Sequence, residues 1–374
     1  MKRVVIIGAG QNGRGYIARL LYLSKQPFIF IDKSKPLIEK LNREKSYRIT
    51  FSDSNREDII IDNYEAYYID DPKAIDVVSK ADIVFTSIAE QNLPSLVPVL
   101  KKAVRTRKRE DKLAVVTCEN GISPKQKIMP EFPDGEIVFS ESIIFCTTLQ
   151  KEPGTLDIVS EDIDYLPYDI EALGMELSYH GMVAANRFHD LLQRKIYTYN
   201  CLSACISYPG YYKEYTAYGE AANDEDIKKI MQRVALSLNE SISKKYNILK
   251  KEQAEFTQRA IRKFQNKLII DTIDRNARDV QRKLGRNERM VAPLLIMNEY
   301  GCDTSVLELV VASALFYGIN TKTVVADGKV LQKADEILSN VCRDLPKAVR
   351  DSIYKKYQSF EEHETLKSML EDVL

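Results

Sequence analysis

The chain has 374 residues, long enough that two hydrophobic cores are expected rather than one. Apolar residues at 44% and charged residues at 29% are those of an ordinary globular protein, and 54 basic side chains balance 54 acidic ones. A net charge of zero excludes a global field favouring nucleic acid or an anionic membrane, so any preference for anions must come from a local cluster.

The first half alternates short apolar runs with helical patterns. Val4–Ile7 and Phe28–Ile31 read as buried strands, with a helix over 14–23 between them and another near 36–42. Ile83–Phe85 and Ala114–Val116 are further strands, separated by a helix near 93–108. Continuous apolar strands divided by helices indicate a parallel sheet covered on both faces. The looser alternation over 46–68 is expected to be a hairpin insertion, and strands are expected again over 137–145 and 155–159.

The second half changes character. Ile227, Ile230, Met231, Val234, Leu238 and Ile242 recur at helical spacing just after an Asn223-Asp224 cap, and similar patterns run over 254–270, 305–316 and 330–341. The expected fold is α/β: an N-terminal Rossmann doubly wound parallel sheet over 1–190, with a mainly α-helical substrate and catalytic domain over 191–374.

Six cysteines (Cys118, Cys146, Cys201, Cys205, Cys302, Cys342) form no C-x-x-C pair. None of the histidines, His180, His189 and His363, lies near a cysteine at zinc-ligand spacing, so no metal is expected. The first strand starts almost at Met1, and no apolar run approaches the roughly 20 residues that span a bilayer. A reduced, cytoplasmic protein without membrane or nucleic-acid partners is the expectation; oligomeric state is open.

The strongest motif is Gly8-Ala9-Gly10-Gln11-Asn12-Gly13, a G-x-G-x-x-G directly after a buried strand and opening a helix. Gly8 suits the tight turn, Gly10 the approach of a pyrophosphate and Gly13 close packing of helix on strand. The helix N-terminus supplies amides and positive dipole. Asp32, ending the second strand, stands where an acid accepts hydrogen bonds from an adenine ribose and repels a 2′-phosphate. NAD is therefore expected rather than NADP, with Lys33 and Lys35 nearby as opposing charges. Gln11 and Asn12 complete the expected cofactor loop.

From GAGQNGRGYI at 8–17 onward, the sequence resembles the polyol-specific long-chain dehydrogenases, in particular their sugar-phosphate branch. The likeness continues through Cys118-Glu119-Asn120, Arg194-Lys195-Ile196-Tyr197-Thr198-Tyr199-Asn200, the basic run over 274–289, and Pro293-Leu294. It implies a metal-independent oxidoreductase acting on a polyol or sugar phosphate, with mannitol 1-phosphate and fructose 6-phosphate the expected pair. Lys195 then serves as general base, and the Asn200 and Asn120 amides donate to the developing alkoxide. A lysine does this only when burial or neighbouring charge lowers its pKa. Arg275, Arg278, Arg282 and Lys283 match the family's basic segment and are expected to contact substrate or its phosphate.

Two departures fall on the catalytic half. The family continues its lysine motif as N-x-x-H, whereas here Ser203 follows Asn200. An Asp-Arg pair expected near 142–147 is replaced by Ile143-Ile144-Phe145-Cys146. Ser203 can hydrogen-bond a hydroxyl but cannot titrate near neutrality. The tyrosine-rich segment 208–218 either reshapes the substrate pocket or only packs. Two alternatives stay open: the same hydride chemistry on an unphosphorylated polyol or sugar acid, and a catalytically impaired NAD-binding sensor or partner-binding protein.

Overall fold

The structure is a computed structural model and describes residues 2–52, 54–326 and 328–374. The chain divides into two compact units, Met1–Leu192 and Gln193–Leu374.

The first unit is built on a six-stranded parallel sheet formed by β1 (Val4–Ile7), β2 (Phe28–Asp32), β5 (Tyr64–Tyr68), β6 (Ile83–Thr86), β7 (Leu113–Thr117) and β8 (Ile137–Glu141). Their order is β5-β2-β1-β6-β7-β8, so the chain turns back beside β1 to build the second half of a doubly wound sheet. Period-2 geometry divides each strand between two cores. Val4, Ile6, Phe28, Phe30, Ile83 and Phe85 point into one. Val5, Ile7, Ile31, Val84, Leu113 and Val115 point into the other. The first face is covered by the helix after the glycine turn, which begins as a wide π turn (Gly13–Ile17) and continues as α1 (Ala18–Leu23), and by α2 (Lys35–Glu44). The second is covered by α3 (Pro72–Lys80) and α4 (Val97–Thr106).

The 46–68 stretch is not one insertion. Its first part is a hairpin of β3 (Tyr47–Phe51) and β4 (Ile59–Ile61), with Tyr47 opposite Ile61. This hairpin joins a four-stranded sheet with β9 (Thr148–Gln150) and β10 (Ile158–Ser160) in the order β4-β3-β10-β9. Its last part, β5, pairs in parallel with β2 and forms an edge of the main sheet. An edge strand buries mainly one side, which explains why β5, with only Ala66 fully buried, lacks the continuous apolar signature of its neighbours. The 137–145 run is a strand only as far as Glu141. A two-stranded sheet of β11 (Leu166–Asp169) and β12 (Met182–Ala185), with α5 (Ile170–Leu173) between them, completes the unit.

Helix α6 (Phe188–Lys195) carries the division between the units. It runs through a second π turn (Ile196–Asn200) into α7 (Cys201–Tyr212), which is buried along nearly its whole length. After α8 (Tyr218–Ala221) comes α9 (Glu225–Tyr246), whose N-cap Asp224 accepts from the backbone N–H groups of Asp226 (3.0 Å) and Ile227 (3.2 Å) as the cap signal implies. Helices α10 (Lys250–Gln265), α11 (Ile273–Ala277), α12 (Val280–Lys283), α13 (Val291–Glu299) and α14 (Ser305–Asn320) follow. Apolar almost all round, α14 is the central helix of the unit, packed against α7 and against α16 (Lys347–Glu361), which lies between α15 (Ala334–Asn340) and α17 (Leu366–Glu371). Its one buried carboxylate, Glu308, is satisfied by Lys356 (2.7 Å), Ser352 (2.6 Å) and Thr304 (2.6 Å).

Candidate active site

In the first unit each motif glycine answers a different steric demand. Gly8 has φ +107°, and a Cβ there would stand 2.2 Å from the Ser87 carbonyl oxygen. A Cβ on Gly13 would meet the Gly8 carbonyl oxygen at 2.0 Å, so the helix packs directly on the turn. Gly10 differs: nothing lies within 4 Å of its added Cβ, and the space it opens onto is the mouth of a cleft. That cleft, of ≈ 210 Å³, is bordered by Gly8, Gly10, Asp32, Lys33, Ser87 and Asn92. It lies at the carboxyl ends of β1, β2 and β6, where ligands of doubly wound sheets bind.

Asp32 does structural duty as well. One carboxylate oxygen accepts from the Ala9 N–H (2.7 Å), tying the glycine turn to β2, and the other accepts from the Ser34 N–H (2.8 Å). Each oxygen retains a lone pair for a ribose hydroxyl. Gln11 is exposed, whereas Asn12 turns its carbonyl inward to accept from the Thr148 hydroxyl (2.6 Å). Open space beside Gly10, backbone amides at a helix start and a carboxylate at the end of β2 fit a dinucleotide. Ser87, Ile88 and Asn92 on the far wall were invisible to motif reading, because their only signal is their position after a strand end.

Asn120 is exposed just beyond β7. Its neighbour Glu119 is buried and accepts from the Thr86 hydroxyl (2.9 Å) and the Ile88 N–H (3.1 Å), bracing the loop that walls the cleft. Burial raises the Glu119 carboxyl to about 7, against the hydrogen bonds that favour its charge. Ile143, Phe145 and Cys146, which stand where a charged pair was expected, are buried.

In the second unit Lys195 ends α6 and is 5% exposed. Burial first, then the charges of Arg289 and Lys263, lower its ammonium from 10.5 to about 7, with Glu288 pulling the other way. The π turn that follows is closed by a Cys201 N–H bond to the Ile196 carbonyl, one residue wider than an α turn. Asn200 ends it, half-buried, and its side chain makes no capping bond to the start of α7. Ser203, on the next turn, accepts from the Tyr218 phenol (3.0 Å).

The basic segment does not act as one patch. Arg275 is exposed and paired with Asp271 (2.6 Å), and Arg278 is exposed. Arg282 is held between Asp279 and Glu288 (2.5 Å each). Lys283 is buried, donates to the Asn276 carbonyl (2.5 Å), and is lowered from 10.5 to about 7 by burial and by Arg289 and Arg282. Arg289, given no role from the sequence, is the residue whose charge bears on Lys195, Lys283, Tyr208 and Tyr218 alike, and Glu288 (3.3 Å) is its counter-ion. With both lysines neutral, Arg282 and Arg289 balance Asp279 and Glu288.

A glycine turn at the switch point of a doubly wound sheet, with a buried lysine brought near neutrality in a helical unit, defines an oxidoreductase of the dinucleotide-dependent dehydrogenase class. The mannitol dehydrogenase Rossmann-domain model matches residues 2–134, and the mannitol dehydrogenase C-terminal-domain model matches residues 188–370. The chain belongs to the mannitol dehydrogenase family. Among curated relatives, the mannitol-1-phosphate 5-dehydrogenase of Thermoanaerobacter pseudethanolicus is 30% identical over 80% of this chain and 82% of its own. That of Buchnera aphidicola is 28% identical over 91% and 94%. A solved Pseudomonas fluorescens mannitol 2-dehydrogenase, in ternary complex with NAD and D-mannitol, superposes with a TM-score of 0.76 at 14% identity, covering 99% of this chain and 94% of that one. A D-sorbitol dehydrogenase does so with a TM-score of 0.71 at 15% identity, covering 98% and 94%.

No helix among the described residues is long and apolar enough to cross a membrane.

Proposed function

We propose that this protein is an NAD-dependent polyol-phosphate dehydrogenase interconverting mannitol 1-phosphate and fructose 6-phosphate or a close relative of that pair. The observation that carries the reading is Lys195, buried in the helical unit with its ammonium lowered to about 7. Such a lysine takes up and returns a proton near neutral pH, which an exposed lysine does not. NAD, when bound, supplies the hydride acceptor. Gly8, Gly10, Gln11, Gly13 and Asp32 would hold it, with Asn12 shaping the loop through Thr148.

In the oxidative direction Lys195 Nζ takes the proton of the secondary hydroxyl while the hydride leaves the same carbon; in reduction it returns that proton to the ketose oxygen. Asn200 donates from its amide to the oxygen on which charge develops, and Asn120 carries the same amide chemistry in the first unit. Lys283 and Arg278 are assigned to the substrate phosphate, and Arg282 orients Glu288. The names of the curated relatives support a phosphorylated substrate.

One observation favours an unphosphorylated polyol or sugar acid instead: two of the four expected cations, Arg275 and Arg282, are committed to carboxylates. A panel of sugar phosphates and free ketoses, followed by NADH absorbance, decides. Fructose 6-phosphate is expected to outperform fructose by at least about a hundredfold in kcat/KM, and Lys195→Ala to lose about 10²–10⁴-fold. Equal turnover of free and phosphorylated sugars would overturn the phosphate assignment; full activity in Lys195→Ala would overturn the mechanism.

A further inference from the structure

Tyr218 has no part in the roles above, yet its placement is tightly determined. It opens α8, and its backbone N–H donates to the Asp271 carbonyl (2.9 Å), while Ala217 bridges Thr272. Its ring meets Phe264 edge-on, with centroids 5.8 Å apart, and the residue is buried. From that anchorage the phenol reaches Ser203 Oγ at 3.0 Å. Burial holds the Tyr218 phenol above its ordinary range, so it remains a protonated donor.

A serine hydroxyl has one proton and two lone pairs. One lone pair of Ser203 is taken by Tyr218, and its own proton has no acceptor among the described residues. The Ser203 hydroxyl is therefore set as an outward donor.

Helix geometry says what it faces. Ser203 follows Lys195 by eight residues, which in an uninterrupted α-helix would place it about 80° further round the axis. The π turn over Ile196–Asn200 takes up an extra residue and removes most of that offset, so Lys195, Asn200 and Ser203 share one flank. The residues an ordinary helix would present there are spent on packing. Thr198 accepts from the Gln253 amide (3.0 Å), and Tyr199 lies against Phe256 (4.9 Å) and Phe264 (6.2 Å). Lys195 and Ser203 stand about two helical turns apart, at most roughly 12 Å along the axis since the π turn shortens the rise, the scale of an extended six-carbon chain with a terminal group. The Arg289 charge bears on both Lys195 and Tyr218.

We propose that Tyr218 is a positioning residue for substrate selection: it orients the Ser203 hydroxyl to donate to an oxygen of the polyhydroxylated substrate remote from the carbon oxidised at Lys195. This rests on the dehydrogenase reading. Tyr218→Phe keeps the ring and removes only the donor.

The test compares Tyr218→Phe, Ser203→Ala and the double variant with the wild type, using the best sugar phosphate of the panel. Tyr218→Phe is expected to raise KM and lower kcat/KM about tenfold, with NADH affinity and the thermal midpoint little changed. In the Ser203→Ala background, adding Tyr218→Phe is expected to cost less than about twofold, because the phenol acts through that hydroxyl. An unchanged kcat/KM in Tyr218→Phe, or a loss that adds in full to that of Ser203→Ala, overturns the proposal alone. Should Tyr218→Phe fail to fold, an unchanged KM in Ser203→Ala overturns it equally. A wild type that turns over no member of the panel overturns the dehydrogenase reading, and this inference with it.

Discussion

In the proposed mechanism, Lys195 and Arg289 set the chemistry at the scale of single residues. Burial disfavours the ammonium, Arg289 and Lys263 repel it, and Glu288 restores part of the charge, leaving a group that titrates at about 7. The sign follows directly. Oxidation needs the neutral amine and rises with pH through about 7, whereas ketose reduction needs the ammonium and falls over the same interval. Replacing Arg289 by Met removes a repelling charge, so the Lys195 pKa rises and the midpoint of the oxidative profile moves upward. Profiles of kcat/KM from pH 5.5 to 9.5 check this; a midpoint unmoved by Arg289→Met would show that another group controls the rate. Lys283 also titrates at about 7, and Lys283→Met, which is expected to leave the midpoint in place, separates the two.

At the scale of elements, glycines and π turns place the groups. Gly13→Ala would drive a Cβ to 2.0 Å from the Gly8 carbonyl oxygen, a backbone clash that no side-chain rotation relieves. Its expected effect is a stability loss of several kcal/mol, with cofactor binding lost alongside. Gly10→Ala meets no atom of the protein within 4 Å and should leave the thermal midpoint within a few degrees while weakening NADH at least about tenfold, since the methyl group enters the cleft. Thermal unfolding with and without NADH separates the pair; parallel losses in both variants would refute the assignment of Gly10 to the cofactor. The G-x-G-x-x-G spacing was legible because it follows from backbone sterics. The π turns were not, because Ile196, Tyr197, Thr198 and Tyr199 are all buried whatever their polarity, so the segment carries no one-sided periodicity that betrays an extra residue.

For the molecule as a whole, zero net charge means that an anionic substrate is met only by local charge. On the proposed assignment the second unit holds that charge in reserve: burial, Arg289 and Arg282 lower Lys283 to about 7, and a phosphate dianion bound beside it would favour its ammonium form. Binding of a sugar phosphate to the NADH-saturated protein at pH 8 is therefore expected to draw in a sizeable fraction of a proton. Calorimetric titrations in buffers of different ionisation enthalpy measure it. No uptake in the wild type, or undiminished uptake in Lys283→Met, would remove Lys283 from the phosphate site.

Sequence alone determined the Rossmann sheet, the helical second half, the glycine turn and the place of Asp32, because each is a local pattern: a strand buried on both faces, a cap or a steric requirement for glycine; Lys195 was singled out only through the family resemblance of its motif. Tertiary structure decided what depends on partners distant along the chain. It moved Tyr64–Tyr68 from an insertion to the edge of the main sheet, since strand pairing is a long-range choice. It divided the basic run into paired and buried cations: Asp271 and Glu288, four and six residues away, claim Arg275 and Arg282, a choice among near neighbours that only side-chain placement in the fold makes. It also showed which member of the basic run bears on Lys195, namely Arg289, and which tyrosine of the 208–218 segment reaches Ser203, namely Tyr218. Charge and burial act through space, and only the folded chain specifies that space.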